Sequence, residues 1–161
     1  LSKLISSYAS TGLTESIDLL LSCSLTDELL IQVEQLGLEE KVVFLSGIEE
    51  ADLPSYYKGA LATIIVSMYE GFCLPVLESM AVGTPVITSN VTAMPEVAAD
   101  AALLVNPEDN SAISMALIEI TCNQTKRNDL IDRGLQRAKN YSWDKSRELW
   151  NKALLPILEH I

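Results

Sequence analysis

Two carboxylates, Glu70 and Glu78, stand eight positions apart in the string EGFCLPVLE, separated by a glycine-containing loop and a proline. The apolar run 61–66 breaks at Ser67, and Pro75 opens the apolar-periodic segment 76–82. This order reads as a strand, a loop and a helix with proline in its first turn. A helix start that follows such a loop presents free backbone N–H groups and a positive dipole end to an anion. Carboxylates beside an anion site do not bind the phosphate themselves. They are better suited to accept hydrogen bonds from hydroxyls, which points to a sugar or ribose attached to that phosphate.

The elements that must position these groups can be read from the periodicity. Residues 1–9 carry a helical stripe, and 17–21 form a short apolar run. Segment 26–36 has acid in its first turn and stops at Gly37, as a helix would. Strands are expected at 42–45, 61–66, 86–88 and 101–105, with helices at 50–58, 76–82, 94–98, 112–121, 126–139 and 143–160. Ser142 is the expected N-cap of the last helix, which Pro156 should bend or interrupt. Tyr56 and Tyr57 read as packing aromatics. Trp143 and Trp150, seven apart, should share a face and anchor the last helix onto the body of the domain.

Short apolar runs alternating with helical patterns give an α/β fold with a parallel, Rossmann-like sheet and helices on both faces. Ligands of such sheets gather beyond the carboxyl ends of the strands, where the Glu70 loop falls. Fold and site therefore select the same region.

The 161 residues carry 22 acidic and 11 basic side chains, a net charge of -11, with no Lys or Arg from 59 to 125. A nucleic-acid partner is disfavoured because it needs a clustered basic footprint. Phosphate held here would depend on backbone N–H groups or on cations brought from elsewhere. Cys23, Cys73 and Cys122 have no metal-ligand spacing, and reduced thiols in a cytoplasmic protein are expected. A nucleophilic Cys73 would need a basic partner, and the one histidine is His160.

The string Glu70-Gly71-Phe72-Cys73-Leu74-Pro75, then Glu78-Ser79-Met80-Ala81 and Gly83-Thr84-Pro85-Val86-Ile87, resembles the donor-binding core of the family 4 (group 1) retaining glycosyltransferases. Gly47, the stretch DLPSYYKGA, Met94-Pro95-Glu96-Val97, AALLVNPED and Tyr141-Ser142-Trp143 extend the likeness over nearly the whole chain. The resemblance implies the C-terminal, nucleotide-sugar-binding half of a GT-B enzyme. That enzyme would transfer a hexose from a UDP, GDP or ADP sugar to an acceptor hydroxyl with retention at the anomeric carbon, with no metal and no cofactor.

By this likeness Glu70 contacts the sugar being transferred and Glu78 the ribose hydroxyls. Gly71, Phe72, Cys73 and Leu74 lie near the diphosphate and sugar. Cys73 stands where the family usually has glycine, Val66 where proline is common, and Cys23 at another usual glycine. Family members open this domain with a strand ending in Gly-Arg and a helix bearing Lys, which would precede Leu1. Residues 1–161 are thus expected to be a donor domain incomplete at its N-terminal edge, with the central strand missing from the order 3-2-1-4-5-6. Strand exchange or a dimer is the minor alternative. Taken alone the piece should be inactive, with the acceptor, and any attachment to the inner membrane, handled by an absent N-terminal domain. The competing functional reading is a non-catalytic nucleotide-binding or regulatory module. An epimerase is disfavoured, since no early Gly-rich strand-to-helix loop is present.

Overall fold

The computed structural model describes residues 1–158. In chain order the elements are α1 (Ser2–Ala9), a 3-10 turn (Leu13–Glu15), β1 (Leu19–Ser22), α2 (Asp27–Gln35), β2 (Val42–Leu45), α3 (Leu53–Gly59) and β3 (Thr63–Ile65). There follow α4 (Leu74–Ala81), β4 (Val86–Ser89), α5 (Met94–Ala98), β5 (Ala102–Val105), α6 (Asn110–Cys122), α7 (Gln124–Ala138) and α8 (Trp143–Leu158).

Local chemistry accounts for most boundaries. Thr26 caps α2 by accepting the Leu29 N–H at 3.4 Å, and Asp109 starts α6 earlier than the apolar stripe does by accepting the Ala112 N–H at 3.1 Å. Strand β1 begins later than its apolar run. The Ile17 N–H is taken by the Leu13 carbonyl in the 3-10 turn, and the Ile17 carbonyl accepts the Tyr8 hydroxyl, so neither group is free for a ladder. That turn leaves no periodic signal and is absent from the sequence reading.

All strand pairs are parallel. β1 pairs with β2, and β4 lies between β3 and β5. The sheet is in two parts, β1-β2 and β3-β4-β5, and among the described residues no strand joins β1 to β3. The two parts share one core, in which Leu4, Ile5 and Tyr8 of α1 and Leu19 and Leu21 of β1 meet Ile87 of β4 and Ile113, Leu117 and Ile120 of α6. A second core, of Val76, Leu77, Met80, Val86, Met94 and Val97, lies beneath α4 and α5.

Strand β4 is buried along its whole length. Its two polar residues are therefore obliged to find partners. The Thr88 hydroxyl donates to the Ile65 carbonyl at 3.0 Å and the Ser89 hydroxyl to the Ser67 carbonyl at 2.6 Å. These bonds tie the exit of β3 to β4 and so aim the loop that follows. Behind it, α7 crosses α4 at Gly134, where an added Cβ would lie 3.1 Å from Met80 Cγ.

Two expectations for the last helix fail. α8 continues through Pro156 to Leu158 without interruption. The proline removes one hydrogen bond, but the carbonyl it frees is on a solvent-exposed helix where water can serve. Trp143 and Trp150 do not anchor the helix; they are 83% and 65% exposed. Tyr141 fills the corresponding place on the body, with its ring against Phe72 and the Arg137 guanidinium over its face. His160 lies outside the described residues. Among the described residues no helix is long and apolar enough to cross a membrane.

Candidate functional site

The site is assembled from two loops at the carboxyl ends of neighbouring parallel strands, 66–73 after β3 and 90–93 after β4. The loops are joined directly: the Glu70 N–H donates to Thr92 Oγ1 at 3.2 Å. Glu70 is half-buried at this junction. The first loop then delivers Cys73 as the residue before α4, with φ 68° and ψ 69°.

Helix α4 has no side-chain cap, no acid in its first turn and proline near its start. Pro75 has no N–H and the Val76 N–H donates to the Cys73 carbonyl at 3.2 Å, so the capacity for an anion rests on the Leu74 N–H and the helix dipole. Glu78 projects from the next turn of the same helix and is exposed. Both Glu70 and Glu78 bear electrostatically on Cys73, whose thiol is pushed up first by burial, then by the Glu70 carboxylate and, less strongly, by Glu78. The two carboxylates expected from sequence thus flank one helix start. Gly71 is exposed, and a Cβ there would meet no atom of the chain within 4 Å, so its backbone is open to an approaching ligand. Phe72 and Leu74 are exposed on either side of Cys73. The Phe72 and Tyr141 rings meet in a T-shaped arrangement with centroids 5.7 Å apart. Hollows of about 510 and 330 Å³ lie elsewhere, around Glu39 and beside β2, and neither is lined by a residue of this site.

The sequence does not mark three neighbours of these residues as site residues, and it reads Tyr57 only as a packing aromatic. Thr92 holds the Glu70 backbone. Tyr57, on α3, donates its hydroxyl to Glu78 Oε2 at 3.0 Å. Its phenol is pushed up to about 12, by burial first and then by the bond to Glu78, so it remains a donor throughout the neutral range. Arg137, from α7, donates to the carbonyls of Glu96 and Val97 at 2.5 and 2.9 Å and to the Tyr141 hydroxyl at 2.7 Å. It thereby ties α5 to the Tyr141–Phe72 contact.

Among the described residues, the non-glycine residues with positive φ are Cys73, Thr92 and Ala99, at 68°, 55° and 50°. Cys73 and Thr92 lie in the two joined loops, at the starts of α4 and α5, and Ala99 follows the end of α5. Backbone strain of this kind concentrates at functional sites.

Residues 10–137 match the family described as glycosyl transferases group 1. The chain belongs to this family. It is 40% identical over 119 residues to the O-antigen chain mannosyltransferase B of Escherichia coli, covering 73% of this chain and 31% of that protein. It is 32% identical to the O-antigen chain mannosyltransferase RfbU of Salmonella typhimurium, over 84% of this chain and 38% of that protein. The chain therefore spans about a third of the length of these curated relatives. Among solved structures it resembles the C-terminal domain of a group 1 family glycosyl transferase, LpcC, from Francisella tularensis. The TM-score is 0.77 with 25% identity, over 86% of this chain and 77% of that one. Sucrose-phosphate synthase from Thermosynechococcus elongatus shares the fold, with a TM-score of 0.86 at 24% identity over 99% of this chain and 42% of that one. The Rossmann-like α/β arrangement is that of GT-B glycosyltransferases, as the motifs implied.

Within this group 1 domain, Cys73 occupies a left-handed backbone conformation natural to glycine. Cys73→Gly removes about 1 kcal/mol of left-handed strain while losing the burial of the thiol and adding freedom to the unfolded chain. It is expected to unfold in urea within about 1 kcal/mol of the parent. Cys73→Val, β-branched at positive φ, should unfold about 2 kcal/mol sooner.

Proposed function

We propose that this chain is the donor-binding half of a retaining hexosyltransferase, a group 1 enzyme that moves a hexose from a nucleoside diphosphate sugar to an acceptor hydroxyl. The observation that carries the reading is the pair of carboxylates flanking the uncapped start of α4. An anion at the helix start places a diphosphate between Glu70 and Glu78. Glu78 then accepts from the ribose hydroxyls and Glu70 from the hydroxyls of the transferred sugar, with Gly71, Phe72, Cys73 and Leu74 around the diphosphate.

Departure of the nucleoside diphosphate leaves positive charge at the anomeric carbon and adds negative charge to the phosphate. The N–H and dipole at the helix start stabilise the second of these as it grows. The reading invokes no metal. Further cations for the leaving group come from the Arg and Lys that family resemblance places upstream of Leu1. The broken sheet supports the accompanying domain assignment, a C-terminal donor domain lacking its first strand, with acceptor binding and any membrane contact made by the rest of the polypeptide. Entry of a strand from a second copy is the alternative way to complete it. Because the acceptor half is separate, residues 1–161 by themselves are expected to be inactive.

The test is calorimetric titration of the full-length protein with UDP, GDP and ADP and with their glucose and mannose conjugates. Mannose is included because the relatives are named mannosyltransferases. One nucleotide series should bind, and Glu78→Ala should weaken it roughly tenfold to a hundredfold, the worth of a hydrogen-bonded charged group. A folded protein that binds none of these compounds overturns the reading. Binding without transfer to any glycan acceptor would favour a regulatory nucleotide-binding module instead.

A further inference from the structure

We propose that Tyr57 is a positioning residue for nucleotide recognition: its hydroxyl fixes the Glu78 carboxylate in the orientation that receives a vicinal diol. The inference rests on the reading of Glu78 as the ribose acceptor and assigns to that site a residue from outside the donor loop.

Glu78 is on an exposed face of α4, where a free glutamate side chain would sample many rotamers. Its backbone is already immobile. The adjacent Ser79 is fully buried and its hydroxyl lies 2.5 Å from that of Thr63, which locks this turn of α4 against β3. The remaining freedom is in the side chain, and Tyr57 removes it by donating to Oε2 at 3.0 Å. Tyr57 is itself held at its other end, since the Thr84 hydroxyl donates to the Tyr57 carbonyl at 2.7 Å. Thr84 is buried and sits at the entry to β4. The chain of contacts thus runs from the central strand to α3, through the phenol, to the carboxylate.

A carboxylate has about four lone-pair positions. One is taken by the phenol, and those left include both positions on Oε1, enough for two neighbouring hydroxyls. Tyrosine suits this task because its ring has few rotamers and its hydroxyl donates without adding charge. A lysine in its place would neutralise the carboxylate and draw the diphosphate toward the wrong end of the site.

The proposal is tested on full-length protein by calorimetry with UDP, GDP and ADP and with the 2′,3′-dideoxy forms of whichever binds. Tyr57→Phe should lower affinity for the ribonucleotide by about fivefold, the benefit of a preorganised acceptor. Affinity for the dideoxy nucleotide should not move, because that compound makes no use of Glu78. In the Glu78→Ala background Tyr57→Phe should have no further effect on the ribonucleotide.

Equal weakening of ribo and dideoxy forms would show a merely structural tyrosine and overturn the proposal. Tighter ribonucleotide binding by Tyr57→Phe would also overturn it, by showing that the phenol competes with the diol. A thermal unfolding scan of Tyr57→Phe, expected to match the parent, separates these outcomes from misfolding. Thr84→Val, which keeps the phenol but releases the Tyr57 carbonyl, should reproduce the ribo-specific loss in weaker form. If Glu78→Ala leaves ribonucleotide affinity intact, the donor-site reading itself fails. If Glu78→Ala weakens it and Tyr57→Phe does not, only the role of Tyr57 fails.

Discussion

Gly134→Leu is expected to lower the unfolding free energy by about 3 kcal/mol, the upper range for overpacking. The position is buried on α7 where that helix lies closest to α4. A Cβ added there would stand 3.1 Å from Met80 Cγ, 3.4 Å from Met80 Cβ and 3.6 Å from Met80 Cα. The first neighbour can rotate away, but the last is backbone and cannot. A single methyl is therefore tolerable. Gly134→Ala gains about 1 kcal/mol of helix propensity against the displacement of Met80 and should remain near the parent. Leucine extends three carbons beyond a Cβ that is already tight against Met80 in a buried contact, so accommodating it should push the two helices apart. Because α4 also carries Glu78, donor affinity should fall together with stability. Urea denaturation of the three proteins checks the first effect, and a leucine variant as stable as the parent would refute such close packing.

Glu70→Gln should reduce the transfer rate of the full-length enzyme by about a hundredfold or more, while its affinity for the free nucleoside diphosphate stays within about twofold. Glu70 occupies the loop junction rather than the helix, with its backbone N–H fixed by Thr92. In the proposed arrangement it reaches only the hexose, so the nucleotide alone should not report its loss. Glutamine keeps the shape and one acceptor but lacks the charge that strengthens hydrogen bonds from sugar hydroxyls. Measuring kcat and nucleotide affinity on the same preparation separates this residue from Glu78, whose replacement is expected to weaken nucleotide binding itself. Unchanged kcat would remove Glu70 from the sugar site.

What could be read from sequence follows the range of the interactions concerned. The Glu70 loop, Pro75 and the α4 stripe are neighbours in the chain, and local geometry dictates their order in space. Element types were legible for the same reason, down to α5 at Met94–Ala98. The contacts that complete the site are not local. Thr92 meets Glu70 because the parallel strands β3 and β4 bring their carboxyl ends together, and Tyr57 meets Glu78 because α3 and α4 pack side by side; no spacing rule encodes either pair. Thr92 also sits at φ 55°, a conformation that β-branched residues rarely adopt and that its side chain does not announce. The tryptophans of α8 show the converse error. Their spacing predicts a shared face correctly, but whether a face is covered depends on what else occupies the body of the fold, and there Tyr141 had taken the place.

The open sides of β1 and β3 bear on the colloidal behaviour of the isolated chain. Among the described residues each of these strands pairs on one side only, and a strand edge left unpaired is a template for any extended segment, including one from another copy. The net charge of -11 opposes that encounter by mutual repulsion. The opposition weakens as salt shortens the reach of the charges, and it vanishes as the solution is acidified toward the isoelectric point near 4.4. Acidity and ionic strength therefore govern whether this chain stays dispersed, through a surface charge carried mostly by side chains outside the candidate site.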